Sequence, residues 1–554
     1  MDCQFVEESA GFKNLLKSHS DNKEPNLGVL LSDKTRCNAL IKQFDGITLD
    51  VSRQLLTLET MDKLLALAKE MKVKEKTKFL FDGTILNTSE RRSVLHTALR
   101  LPKGSSLVVN GEDVLPGVHE VLDRIKSFSD DVRSGKVTAS DGKPFDSILC
   151  VGIGGSFLGT AFTSEAFMGY EHARRAAFGK KIRFLSNVDP AGFRIVADEL
   201  DPNRTLVIII SKTFTTVETI KNAITVKQWL LDNIANPKDF CKHLCAISTN
   251  LKLTKEFGIE DSRVFGFWDW VGGRYSVSSA VGVLPLSIYF GFDIVEGFLK
   301  GCHSMDKHFL ESELEENLPV LMALCSFYNS AILGFNTVAI LPYSQDLSKF
   351  APYIQQLIME SNGKSVRSNG DPLPLGASEI YFGEPGTNGQ HSFYQLFHQG
   401  RTVPSEFIGF VKSDNKDNAV NGTTHHQELM ANFFAQPDAL AYGLSMETLL
   451  SDGVGEEIAR HKVCPGNRPS QVLLFDELTP YTVGQLVALY EHRTAVCGFL
   501  LGINSFDQMG VELGKILASD IRKLFASGTR NWSEHEKPGK LSYSTTKLLE
   551  KFTR

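Results

Sequence analysis

The segment from Thr205 to Ser211 reads TLVIIIS, and it limits the fold more than any other stretch of this chain. Side chains along a strand point to alternate faces, so a strand that is apolar at nearly every position must be covered on both faces. The neighbouring sequence supplies the cover. Ser147 to Gly152 reads as a strand ending in a Gly-rich turn, Leu158 to Met168 as a helix, Arg183 to Ser186 as a strand and Ala191 to Leu200 as a helix. Thr216 to Ile234 reads as a long helix and His243 to Thr249 as a further strand. Buried strands alternating with helices imply a parallel sheet between helical layers. A second series follows, with strands at Asn336–Pro342, Glu379–Phe382, Phe407–Val411 and Val472–Phe475. Its helices lie at Ser348–Ser361, Gln427–Phe434 and Val483–Leu501. The expectation is an α/β protein with two such units, since 554 residues exceed one core. Ser365 to Ala377, broken by Gly370, Pro372, Pro374 and Gly376, reads as a loop, and the polar tail after Gly528 as a segment that frays or wraps a neighbour.

Bulk properties exclude several classes. A net charge of −6 and a pI near 6.2 argue against a nucleic-acid binder, which carries a basic face. An anionic substrate would need a local attraction. The first residues have neither a basic nor an apolar signal region, so no secretory signal is expected. The longest apolar runs, Leu206–Ile210 and Val283–Phe292, fall short of the ~20 residues of a membrane span. Nine cysteines without a CxxC pair suit reduced thiols in the cytosol. Cys241, His243 and Cys245 lack a second ligand pair at zinc spacing and read as core or edge groups, so no metal is expected.

Several motifs carry chemistry. Val151-Gly152-Ile153-Gly154-Gly155-Ser156-Phe157-Leu158-Gly159 joins a strand to a helix. As a dinucleotide fingerprint it fails, because Phe157 stands where the last glycine belongs and no acidic residue ends the next strand; a dehydrogenase is disfavoured. What remains is a turn that lets backbone approach an anion at a helix N-terminus, or a tight turn with no ligand. Ser211-Lys212-Thr213-Phe214-Thr215-Thr216-Val217-Glu218-Thr219 brings five hydroxyls and one lysine to a helix start. A helix cap needs one hydroxyl, so the surplus favours phosphate. Gly363-Lys364-Ser365 lacks the earlier glycine of a nucleotide-binding loop, and Asn362-Gly363 reads as a helix cap. On the preceding helix, Leu347, Phe350, Ile354, Leu357 and Ile358 form an apolar stripe, with Gln356 and Glu360 on the other side. Such a Glu is ordinarily solvated; as a base it would need partial burial and a substrate nearby. Arg274 follows a Gly-Gly turn, His391 sits at a loop-to-helix transition, and Gln508 and Lys515 share a face if that segment is one helix with Met509, Leu513, Ile516 and Leu517 as its apolar stripe.

Together GIGGS, SKTFTTVET, DWVGGRYS, QQLIMESNGK, GEPGTNGQHSFYQL, YEHRT and NSFDQMGVELGK, in this order from Gly152 to Lys515, resemble the glucose-6-phosphate isomerase family in its long eukaryote-type form. The resemblance implies two sugar-isomerase-type αβα sandwich domains, a cytoplasmic homodimer with shared active sites, and a cofactor-free aldose–ketose isomerisation through a cis-enediol. It implies a division into an N-terminal part of the large domain (1–114), a small domain (115–290), the rest of the large domain (291–515) and a tail (516–554). By the same resemblance, Gly155, Ser156, Ser211, Lys212, Thr213 and Thr216 surround the phosphate. Glu360 is the base, Arg274 faces the enediolate, and Gln356 and Gln508 position the sugar. His391 and Lys515 handle ring opening, with Glu218 orienting His391. Val217 departs from a polar residue common in the family, and Leu357-Ile358 from a smaller pair. A noncatalytic sugar-phosphate sensor would keep the hydroxyls and lose the base, yet Glu360, Arg274, His391 and Lys515 are all present. A role as a secreted factor is disfavoured by the absent signal.

Overall fold

Strands that are apolar on both faces form two sheets in the computed structural model, which describes residues 5–21, 25–529, 531–537 and 539–553. In chain order the strands of these sheets are β1 (Ile41–Phe44), β2 (Ile47–Asp50), β3 (Ser147–Val151), β4 (Lys181–Leu185), β5 (Thr205–Ile210), β6 (Leu244–Ile247), β7 (Val264–Phe265), β8 (Thr337–Pro342), β9 (Ile380–Phe382), β10 (Ser405–Lys412) and β11 (Ser470–Glu477). The five-stranded sheet runs β7-β6-β5-β3-β4 and is parallel throughout. The six-stranded sheet runs β1-β2-β11-β10-β8-β9, with a parallel body and an antiparallel β1–β2 hairpin on its edge. The chain divides into two compact units, Met1–Phe506, which holds both sheets, and Asp507–Arg554.

The run in β5 behaves as its composition demands. Leu206, Ile208 and Ile210 enter the main core, while Val207 and Ile209 enter a second core against helix α1 (Val217–Asn233) through Ala223, Val226 and Leu230. The larger sheet repeats the pattern. Val338, Ile340 and Ile408 face the main core, and Ala339, Leu341 and Phe407 pack with Phe433 of the helix His425–Tyr442. Helix α2 (Pro480–Leu501) is buried almost from end to end and packs on the helices Phe292–Glu311 and Leu318–Phe327. Each sheet is thus a two-faced sandwich, as the alternation implied.

Three expectations need correction. The helix expected over Ser348–Ser361 begins later, at Phe350, and passes into a π-helical turn over Gln355–Glu360. Pro352 falls in its first turn, where a missing N–H costs no helical bond. Gln508 is not helical, with φ −148° and ψ 44°; a 3-10 turn, Met509–Val511, separates it from helix α3 (Glu512–Ala526). Gln508 and Lys515 therefore share no helical face, and Met509 falls outside α3, which carries Leu513, Ile516 and Leu517 of the expected apolar stripe, the first two exposed. The tail beyond Gly528 folds within its own unit: Trp532, Leu541 and Leu549 pack with Ile521 and Leu524 of α3.

Candidate active site

In a doubly wound sheet, ligands bind beyond the carboxyl ends of the strands where the chain reverses its direction of winding. In the five-stranded sheet the chain moves from β3 outward to β4, then returns past β3 to β5. The turns after β3 and β5 flank that reversal, and they are GIGGS and SKTFTT.

After β3 the backbone turns through Gly154, at φ +61°, into a 3-10 turn of Gly154–Ser156. A Cβ on Gly155 would stand 2.2 Å from the carbonyl carbon of Gly273, so only glycine permits the two backbones to meet. A Cβ on Gly154 would lie 3.2 Å from Nε2 of Gln356. The turn thus touches both the segment that carries Arg274 and the helix that carries Glu360. After β5, Phe214 takes φ +57° and folds the hydroxyls together. Ser211 Oγ lies 3.4 Å from Thr216 Oγ1, and Thr213 Oγ1 lies 2.6 Å from Thr215 Oγ1. Thr216 occupies the N-cap of α1, yet its side chain makes no capping bond. The ordinary structural use of that hydroxyl is therefore absent. Lys212 reaches across to Asp269, 3.2 Å from its carboxylate, and donates to its carbonyl at 3.3 Å. Burial lowers the Lys212 ammonium from its usual range, while Asp269 raises it.

Arg274 is 3% exposed and lies in the 3-10 turn Gly273–Tyr275. Its Nε donates to Ser361 Oγ at 2.6 Å, its Nη2 donates to the Ser505 carbonyl at 2.7 Å, and its Nη1 lies 3.6 Å from Glu360 Oε2. Tyr275 Oη lies 3.1 Å from the same Ser361 hydroxyl, and burial pushes this phenol up to about 12. Glu360 ends the π-helical turn with a side chain 24% exposed, in reach of solvent but no longer on a solvated face. Lys364 donates to the carbonyls of Glu360 and Ser361, at 2.7 and 2.8 Å, and closes the helix end. A carboxylate beside a fixed guanidinium can move a proton and hold the negative charge that appears when it does so.

The remaining sequence candidates stand differently. His391 ends the 3-10 turn Asn388–His391, anchored by Gln390, which accepts from Tyr343 and donates to Asn432. His391 itself is exposed, and no hydrogen bond or ion pair joins it to Glu218 among the described residues. Glu218 is half-buried in the first turn of α1. Gln508 and Lys515 belong to the Asp507–Arg554 unit, where Lys515 pairs with Glu512 at 3.0 Å. His243 is a core group: Ser140 N–H donates to its Nε2 at 3.1 Å, and its Nδ1 lies 2.9 Å from the Thr205 carbonyl. Both ring nitrogens are used structurally. Ser361, Tyr275 and Ser505 were not singled out from the sequence, although all three lie inside quoted motifs. Nothing but their proximity to Arg274 distinguishes them.

Comparison with known proteins extends this picture. The family model described as Phosphoglucose isomerase matches residues 50–540. The chain is 52% identical over 543 residues to a protein named cytosolic glucose-6-phosphate isomerase from Arabidopsis thaliana, covering 97% of this chain and 96% of the relative. It is 52% identical over 524 residues to one of the same name from Zea mays, covering 94% and 92%. A crystal structure of a glucose-6-phosphate isomerase from Chlamydia trachomatis superposes with a TM-score of 0.85 at 31% identity, over 99% of both chains.

Proposed function

The chain belongs to the phosphoglucose isomerase family, and we propose that it interconverts glucose 6-phosphate and fructose 6-phosphate in the cytosol, through a cis-enediol and without a cofactor. This is a step common to glycolysis and gluconeogenesis. The observation that carries the reading is the buried Arg274 guanidinium 3.6 Å from the partly exposed Glu360, beside the hydroxyl-rich turn at the winding reversal. Cytosolic placement follows the names of the plant relatives. Among the described residues, no helix is long and apolar enough to cross a membrane.

The chemistry runs in three stages. The phosphate sits among Ser211, Lys212, Thr213, Thr216 and the turn of Gly155 and Ser156, which fixes the sugar before any bond changes. His391 and Lys515 open the ring by moving a proton between the ring oxygen and the anomeric hydroxyl, with Glu218 orienting His391. Glu360 then takes the proton from C2 and returns it to C1, or the reverse, while Gln356 and Gln508 hold the chain of the sugar. One general base contributes about 10²–10⁴ in rate. The enediolate charge needs more, and Arg274, always charged and weakly hydrated, supplies it.

The working form in this reading is a homodimer in which the partner subunit's His391 completes each site. What supports it is the exposed state of His391, without a hydrogen bond or ion pair among the described residues, against the buried state of Arg274. The domain division retained is 115–290 for the small domain, 1–114 with 291–515 for the large domain, and 516–554 for the tail. The test is direct. Purified protein is incubated with fructose 6-phosphate and excess chelator, and glucose 6-phosphate is measured with a coupled dehydrogenase. Steady formation of glucose 6-phosphate is expected; none at any enzyme concentration would contradict the reading.

A further inference from the structure

A guanidinium that stabilises developing charge must be held in plane as well as in place. Arg274 is buried, so its orientation comes from protein groups rather than from water. Its three nitrogens are addressed by two segments of chain, Glu360–Ser361 and Ser505. Glu360 faces Nη1, Ser361 accepts from Nε, and Ser505 accepts from Nη2. Asn362, the next residue, accepts from Ser505 Oγ at 2.7 Å and donates to the Thr494 carbonyl of α2 at 3.0 Å. Residues 360, 361 and 362 thus reach Arg274 directly, directly and through Ser505.

We propose that Ser361 is a positioning residue: its hydroxyl sets the plane of the Arg274 guanidinium against Glu360, and its loss lowers turnover through Arg274. This rests on the isomerase reading of the site. The Nε contact is the decisive one. Nε is the nitrogen nearest the flexible stem, and a bond there stops rotation of the fork about the last side-chain torsion. Ser361 is itself fixed. It is fully buried, its hydroxyl meets the Tyr275 phenol at 3.1 Å, and its carbonyl is held by Lys364. The Tyr275 ring stacks on His96 with centroids 4.8 Å apart, so the backing extends into the core. Ser361 is also the covalent neighbour of Glu360. One side-chain bond and one peptide unit therefore set the spacing between base and guanidinium.

The experiment compares Ser361→Ala in two backgrounds, the natural chain and Arg274→Lys, with fructose 6-phosphate as the probe. In the natural background kcat should fall about tenfold or more, as for loss of one charged hydrogen bond, with KM within about twofold. In the Arg274→Lys background the same change should cost less than about twofold, because the partner through which Ser361 acts is gone. An equal loss in both backgrounds would make Ser361 merely structural and overturn the proposal, as would an unchanged kcat in the natural background. Should the alanine variant not fold, Ser361→Cys keeps the volume with a weaker acceptor, and the same pair of outcomes decides. An undiminished kcat for Arg274→Lys alone would instead overturn the role given to Arg274. A large loss there with none for Ser361→Ala would overturn only the role of Ser361.

Discussion

Arg274 and His391 stand at opposite extremes of the proposed site. Arg274 is buried and gripped by Ser361 and the Ser505 carbonyl, with Glu360 beside it. His391 ends a turn whose neighbour Gln390 is well anchored, yet its ring is exposed and without a hydrogen bond among the described residues. A single chain therefore preorganises the groups proposed to handle the charge of the enediolate, and it leaves the histidine proposed for ring opening presented outward. Preorganised donors cost no reorganisation at the moment of reaction, which suits the step with the largest charge development. A presented side chain needs a second surface to fix it, and a two-fold interface offers one to both sites at once.

The sharpest way to break this comparison is to disable the buried half. Glu360→Gln keeps nearly the same shape but cannot accept the C2 proton, so kcat should fall by at least ~10² with binding retained. Steady-state kinetics in the direction of glucose 6-phosphate check this, and near-normal turnover would remove Glu360 from the mechanism. Next in size, Arg274→Lys should lower kcat more than it raises KM, because a point charge on a flexible stem cannot make the Ser361 and Ser505 contacts together. Thr213→Ala and Thr216→Ala probe the phosphate grip. Each should mainly raise KM, by the equivalent of about 1.5–3 kcal/mol for a hydrogen bond to a charged group. Since the Thr216 side chain caps no helix bond, its removal should leave the melting temperature almost unchanged. Equal effects on an unphosphorylated sugar would contradict the placement.

The smallest effect concerns the backing of the buried half. Behind Tyr275 and His96 lies Glu491, wholly buried, bonded to Arg100 at 2.8 Å, with Asp306 also on Arg100 and His492 on Asp306. Burial pushes the Glu491 carboxyl up to about 7, against the pull of Arg100. A carboxyl raised in the fold contributes stability that is complete below its unfolded value near 4.3 and is lost as pH rises through about 7. The melting temperature should therefore decline from about pH 4.3 to about pH 7 and level off above that, and Glu491→Gln, which does not titrate, should flatten that decline. An identical slope in the variant would show that Glu491 stays charged throughout.

Much of the fold could be read from residue patterns, because the forces involved are local or periodic. Runs apolar on both faces, such as TLVIIIS, announced the two-sided sheets. The β1–β2 hairpin carries a strong local signal of its own: Asp45-Gly46 sits between apolar residues, and both take positive φ, at 44° and 79°. The π-helical turn at Gln355–Glu360 left no such mark, since nothing in its composition separates it from an α-helix. The tail looked too polar to fold because its few apolar residues, Trp532, Leu541 and Leu549, are far apart in sequence and meet only once the chain turns back on α3. In the site, motif residues were legible by type, whereas Ser361 and Ser505 were not. A serine that orients an arginine is indistinguishable from any other until its distance to Nε is known.

The measurement that bears most directly on the contrast between Arg274 and His391 is complementation between two inactive variants. Glu360→Gln and His391→Ala are unfolded and refolded together. With random pairing about half of the dimers are mixed, and in each of these one site receives an intact Glu360 from one protomer and an intact His391 from its partner. Recovery of about one quarter of the natural activity is expected. If His391 acts within its own chain, every site keeps a lesion, and absence of recovery with mixed dimers demonstrably present would rule out a site shared between protomers.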